Sequence, residues 1–240
     1  MRQFLLLLLL VVSFTQLFAQ APNTLSAQEK KEGWKLLFNG KDVSGWHTYG
    51  KTGVGSAWII DNGALKLNVP ERAGNKAKNG GDLATDQVFK GDFEFKADFK
   101  VERFTNSGIF FFVTEAPEYQ QIYHTGLELQ VLDNAIYEGA PENKHRVGDF
   151  FSVANARIRE PKAVGEWNQI HFKLKNKVLS VYMNGYLIQE HNVDSDDWKK
   201  RIAESNLKTA PISKGKLEGR IGLQDWGSSV WFRNIKIRPL

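Results

Sequence analysis

The sequence predicts an all-β protein, a sandwich or barrel with one short helix, and three observations carry that prediction. Short segments alternate apolar and polar residues with the period-two spacing of strands. Asn62-Gly63 and Asn184-Gly185 sit between such segments, the signature of tight β-hairpin turns. Helical spacing is confined to 195–205, so the strand–helix alternation that builds parallel sheets is missing.

The 240 residues allow one large domain or two small ones. Met1-Arg2-Gln3 is basic, Phe4 to Val12 is unbroken apolar chain, and Ser13 to Ala19 relaxes toward small residues, so 1–19 reads as a secretory signal peptide. A membrane anchor needs about 20 apolar residues, and neither this run nor any later one is that long. The chain has no cysteine, which excludes disulfides and a lipid-modified Cys. Such an exported protein depends on its core, and a chain of this length can bury a large one. The formal charge of +5 is scattered and forms no basic stripe, so a nucleic-acid partner is not expected.

Residues 20–32 are polar and poor in large apolar groups, and are expected to form a disordered leader before a domain at 33–240. Gly33 to Asp42 holds a short strand running into the Asn39-Gly40 turn, followed by Trp46, an edge plug for the core or a sugar-stacking ring. Trp58 to Leu67 is a hairpin, and 70–81 a long aperiodic loop of the kind that is floppy or functional. Phe93, Phe95, Ala97, Phe99 and Val101 alternate with Glu94, Lys96, Asp98 and Lys100, an antiparallel strand with one wet face. Asn106 to Val113 opens with turn chemistry and becomes a strand buried on both sides. Gln169 to Leu174 is a further strand, Lys177 to His191 a second hairpin, 195–205 a helix with an acidic start, and 219–225 and 230–237 the closing strands.

The richest stretch is 125–134. Leu127, Leu129 and Val131 share one face of a strand, while Glu128 and Gln130 share the other and Asp133 marks its end. A carboxylate beside a carboxamide on the face away from the core is equipped to hold and ionise a polar substrate, although a solvated strand has the same pattern. No metal-ligand spacing is present among the five histidines, so no cofactor is expected; a calcium held by carbonyls and Asp side chains would leave no such trace.

Gly33 to Trp46, Asn106-Ser107-Gly108-Ile109, Gly126 to Asp133, Gly165-Glu166-Trp167-Asn168, Leu223 to Gly227 and Phe232-Arg233-Asn234-Ile235 together resemble the 3-keto-disaccharide hydrolase family, domain of unknown function 1080. The resemblance spans nearly all of the chain after the leader. It implies a concanavalin A-like jelly roll with its sugar cleft on the concave sheet, and periplasmic or secreted work on 3-keto-glycosides. Three positions depart from the family. Trp226 stands where relatives commonly have His, Phe110-Phe111-Phe112 where a basic residue is frequent, and Phe150-Phe151 where Leu-Tyr is frequent. If these positions touch substrate, the pocket is more aromatic and less charged than its relatives'.

A ketone at C3 acidifies the C2 proton, so elimination at C1 and then hydration give net hydrolysis with a base, an acid and a group polarising the ketone. On this chemistry Glu128 is the expected base and His145 the acid or second base, while Asp133 is an orienting group for His145, a metal ligand or simply a turn former at the strand end. Asn106, Gln130, Arg146, Gln224, Trp226 and Tyr123 would bind the substrate. A sugar oxidoreductase that makes the ketone is the implied functional partner. Two rival readings stay open on this fold. One is a non-catalytic carbohydrate-binding module stacking sugar on Trp46, Tyr123 and Trp226. The other is a conventional endo-glycosidase, for which Glu128-x-Gln130-x-x-Asp133 looks like a displaced, incomplete acidic relay.

Overall fold

The computed structural model describes residues 20–137 and 144–240. In chain order the first elements are α1 (Ala27–Lys31), β1 (Lys35–Leu36), β2 (Trp46–Thr48), β3 (Trp58–Asp61), β4 (Ala64–Leu67), β5 (Arg72–Ala73), β6 (Lys76–Ala77) and β7 (Leu83–Thr85). The long strands β8 (Phe93–Val101), β9 (Asn106–Val113) and β10 (Leu127–Leu132) follow, then β11 (Asn168–Lys175), β12 (Val178–Met183) and β13 (Tyr186–Asn192). Helix α2 (Asp196–Ala203), β14 (Arg220–Leu223) and β15 (Val230–Pro239) come last, and short 3-10 turns lie at Ile122–His124, Asn134–Tyr137 and Pro211–Lys214.

All pairings are antiparallel. An eight-stranded sheet runs β13-β12-β11-β8-β15-β4-β3, with β1 added along β15, and a five-stranded sheet runs β10-β9-β14-β7-β2. The two sheets pack face to face as a jelly-roll sandwich. Phe93, Phe95 and Phe172 from the larger sheet meet Phe111 and Phe112 from the smaller one. Phe111 stacks on Phe172 with ring centroids 3.7 Å apart, and the edge of Phe95 meets Phe111 at 5.4 Å. The alternation of β8 therefore fixes which of its faces closes the core.

Both expected hairpins form at their Asn-Gly turns, with Asn62, Gly63, Asn184 and Gly185 all at positive φ. Helix α2 starts where its acidic residues predict, its first turn capped by the Ser195 hydroxyl. The other face of β8 is less wet than alternation predicts. Glu94 is buried under Arg238 and Lys173, and Asp98 accepts from Arg233 and Asn234.

The leader is also not disordered as expected. Ser26 and Glu29 form a reciprocal capping box that starts α1, a second short helix, and Glu29 pairs with Lys236 on β15. Asn23 and Asn234 exchange backbone and side-chain hydrogen bonds at 2.7 and 2.8 Å. These polar anchors, rather than apolar content, hold 20–32 on the larger sheet. The expected signal peptide, 1–19, lies outside the described residues. Among the described residues no helix is long and apolar enough to cross a membrane.

The 70–81 loop contains β5 and β6, a hairpin that joins neither large sheet. Aperiodicity hid it, because strands of two residues are too short to show a period. Trp46 is 4% exposed, packs in the core and donates its indole N–H to the Leu37 carbonyl at 2.6 Å. It is the plug and takes no part in sugar stacking.

Candidate active site

Strand β10 places Leu127, Leu129 and Val131 in the core, so Glu128 and Gln130 project from the outer face of the five-stranded sheet. There they meet Gln224, which follows β14, and line a cavity of about 330 Å3 with Asn106, Tyr123, His145, Phe151 and Trp226. That volume is at the small end of the ~300–1,000 Å3 range of ligand pockets.

Glu128 is 4% exposed. Its Oε1 accepts from Gln130 Nε2 at 2.7 Å and Gln224 Nε2 at 2.8 Å, which leaves Oε2 as the oxygen for proton exchange. Gly108 lies directly across from Gln130, and a methyl there would stand 2.7 Å from Oε1 and 2.8 Å from the Glu128 Cγ. Glycine at 108 is therefore what gives the carboxyl its space.

Burial pushes the Glu128 carboxyl up to about 8, and the nearby Asp82 carboxylate adds to the rise, while the two carboxamides and Lys76 oppose it. At neutral pH Glu128 is mainly a carboxylic acid. Burial lowers the His145 imidazole below its usual range, with the Asp149 charge opposing, so this ring is neutral under the same conditions.

The 145–151 segment covers the outer edge of β10. Gly148 N–H donates to the Gln130 carbonyl, Gln130 N–H to the Asp149 carbonyl and Phe151 N–H to the Glu128 carbonyl, at 2.9–3.0 Å. The Asp149 side chain is fully buried and accepts from the Arg146 and Ala156 amides, fixing the loop next to His145. His145 then stacks on Phe151, centroids 5.0 Å apart and planes 17° from parallel. Across the cavity Tyr123 and Trp226 meet edge to face at 6.3 Å.

Seven of the expected site residues thus share one cavity, and two stand elsewhere. Asp133 spends its carboxylate on the Phe104 and Ala135 amides at 2.8 and 3.1 Å, as a turn former at the end of β10. Arg146 lines a separate groove with Asp149, its Nε 3.9 Å from the carboxylate. Phe110 is fully buried against Val113 and Ile122, and Phe111 and Phe112 belong to the main core, so that departure from the family does not reach the cavity. The Trp226 and Phe151 departures do reach it.

Sequence reasoning missed the charged layer beside Glu128. Lys76 Nζ lies 2.6 Å from Asp82, and Asp82 accepts the Asp225 amide at 2.9 Å. The Asp225 carboxylate in turn gathers the amides of Ala77, Gly81 and Gly227 at 2.7–3.1 Å. Only the Asp next to Gln224 hinted at this, and nothing in the sequence pairs 82 with 225. Glu128 is the single carboxyl among the described residues lining the cavity. Among the described residues no group of three or more His, Cys, Asp or Glu gathers as a metal centre.

A model of the 3-keto-alpha-glucoside-1,2-lyase-like domain matches residues 33–238. A 3-keto-disaccharide hydrolase of Bacteroides thetaiotaomicron is 29% identical, over 95% of this chain and 86% of its own. The crystal structure of a candidate glycosyl hydrolase from Parabacteroides distasonis is 28% identical with a TM-score of 0.78, over 92% of this chain and all of its own. A Bacillus subtilis protein of unknown function with a galectin-like fold, 16% identical, superposes over 91% of this chain and 94% of its own with a TM-score of 0.50, a likeness of fold alone.

Proposed function

The chain belongs to the 3-keto-alpha-glucoside-1,2-lyase-like family and is a hydrolase or lyase of sugars, and from that premise we propose that it is an exported enzyme cleaving 3-keto-glycosides. The route is elimination followed by hydration. A base takes the C2 proton, the electron pair passes into the enolate of the C3 ketone, and its collapse forms the C1–C2 double bond. The C1–oxygen bond breaks with a proton delivered to the departing oxygen. Water then adds at C1, and a proton returns to C2.

The observation that carries this reading is a buried Glu128 that keeps its proton, lining one sugar-sized cavity with a neutral histidine. Those protonation states favour His145 as the base at C2 and Glu128 Oε2 as the acid at the leaving oxygen, the reverse of the roles the sequence suggests, with the two exchanging during hydration. Gln130, Gln224 and Asn106 supply amide groups for the ketone and hydroxyls. Among the described residues the cavity presents one carboxyl, whereas a conventional glycosidase uses two. The reading also calls for an oxidoreductase that installs the C3 ketone outside the cytoplasm.

The test compares 3-keto-trehalose with trehalose. Cleavage of the keto form only is expected, with Glu128→Gln lowering kcat by about 100-fold or more. Cleavage of unmodified sugar supports the conventional glycosidase, and saturable binding without turnover a binding module. With Glu128 as acid, kcat/KM falls as pH rises through about 8 and this limb vanishes in Glu128→Gln. A rate that climbs through the same range returns Glu128 to the role of base.

A further inference from the structure

The registers of the five-stranded sheet place a second carboxyl on the face that carries the site. Gln130 pairs with Gly108, and Leu223 pairs with Ile109 on one side and with Leu83 on the other. One position further along, Gly108, Gln224 and Asp82 therefore continue the row that begins at Gln130, all on the outer face with Glu128. In keeping with that register, Gln224 N–H donates to the Gly108 carbonyl and Asp225 N–H to Asp82 Oδ1, both at 2.9 Å.

Asp82 is nevertheless closed off from the cavity. It is buried under Lys76, whose Nζ stands 2.6 Å from Oδ2 and 3.3 Å from the Asp225 carbonyl. Lys76 comes from the β5–β6 hairpin, which joins neither large sheet and is tied down through Ala77 and Gly81 by the Asp225 carboxylate. A hairpin outside the sandwich thus delivers an ammonium to a carboxylate on the site's own face. The other groups facing Glu128 are Gln130 from β10, Gln224 after β14, His145 from the 145–151 segment and Tyr123 from the 122–124 turn, with Asp225 behind Gln224. Burial is the main reason the Glu128 carboxyl keeps its proton. The Asp82 charge adds to that effect, and the Lys76 charge and the two carboxamides oppose it.

We propose that Asp82 and Lys76 are positioning residues for the reaction: the pair lies outside the cavity and sets the pH at which Glu128 exchanges its proton. The inference rests on Glu128 being the acid of the proposed elimination. Because the two charges are opposite, removing either one alone moves Glu128 in opposite directions. Without the Asp82 charge, the Lys76 ammonium stands uncompensated and favours the carboxylate. Without Lys76, the Asp82 charge stands uncompensated and holds the Glu128 proton more tightly. A pair that served only to fasten the hairpin would affect stability or rate and leave that pH in place.

The experiment follows the alkaline limb of kcat/KM for 3-keto-trehalose in wild type, Asp82→Asn and Lys76→Met, with thermal melting to verify folding. NMR titration of the Glu128 side-chain carboxyl carbon is run beside it on the substrate-free proteins. The midpoint, about 8 in wild type, is expected to fall by about one unit in Asp82→Asn and to rise by about half a unit or more in Lys76→Met. Lys76→Arg, which keeps the charge, should restore the wild-type value. A midpoint that stays in place in either folded variant, or that moves the same way in both, overturns the proposal. Should Asp82→Asn fail to fold, Lys76→Met decides alone, since the Lys76 side chain is partly exposed. If no keto-glycoside is cleaved but the NMR midpoint moves in opposite senses, the pair's hold on Glu128 stands and the reaction falls. If cleavage continues with an unmoved midpoint, the pair's role falls and the reaction stands.

Discussion

Glu128 holds a proton at a pH where an exposed carboxyl has lost it, because burial strips most of its solvation and the nearby Asp82 adds negative charge. This has a consequence for stability. The folded protein binds this proton up to about 8, while the unfolded chain releases it near 4.5. Stability linked to Glu128 is therefore full below about 4.5 and is lost as pH rises through the folded value. The interval of about 3.5 units corresponds to roughly 3–5 kcal/mol at alkaline pH. In urea unfolding, Glu128→Gln is expected to match wild type near pH 4 and to exceed it by about that amount near pH 9. Parallel pH curves for the two proteins would mean that the carboxyl is not held neutral. Active groups kept in a state that costs folding energy are the usual exchange of stability for function.

At the scale of elements, strand parity and hydrogen-bonded loops divide the labour. Residues 128 and 130 share a face because β10 is regular through Leu132, and Asp133 falls beyond it as a turn former. The β5–β6 hairpin has almost no strand of its own and is carried by Asp225, whose carboxylate takes the amides of Ala77, Gly81 and Gly227. Asp225→Ala strands three amides, two of them in the hairpin segment and one in the Trp226 turn. The expected loss is about 3 kcal/mol or more in global stability, read by thermal melting. Faster hydrogen exchange at Ala77 and Gly81 should accompany it. Unchanged exchange there would show that the hairpin is held by something else.

Across the whole molecule, two sheets joined by a phenylalanine seam support the site on one outer face, while the other outer face carries the strap of residues 20–32. Trp34 is buried beneath the cations of Lys96, Lys236 and Arg238, and Asn23 and Glu29 fasten the strap to β15. None of residues 20–32 lines the Glu128 cavity. Deleting residues 20–31 is therefore expected to lower Tm by about 5 °C and to leave kcat/KM for the keto-disaccharide within about twofold. A melting point that does not move would mean the strap adds nothing to the fold.

Alternation in β8 and β10, the two Asn-Gly turns and the helix start at Ser195 are local signals; they settled an all-β sandwich or barrel and the face on which Glu128 stands, and the family resemblance narrowed this to the sandwich. The sequence also gathered most of the cavity, because Glu128 and Gln130 are neighbours on one strand and the family pattern adds Asn106, Gln224 and Trp226. Only the tertiary structure decided that Arg146 and Asp133 stand aside and that Phe110 is sealed into a core. It alone showed that Asp82 and Asp225 meet beside Glu128 and fasten the hairpin. The physical reason is range: period and turn chemistry act between residues a few positions apart, whereas burial, charge coupling and a carboxylate's choice of amides depend here on contacts between residues 96 to 148 positions apart in the chain.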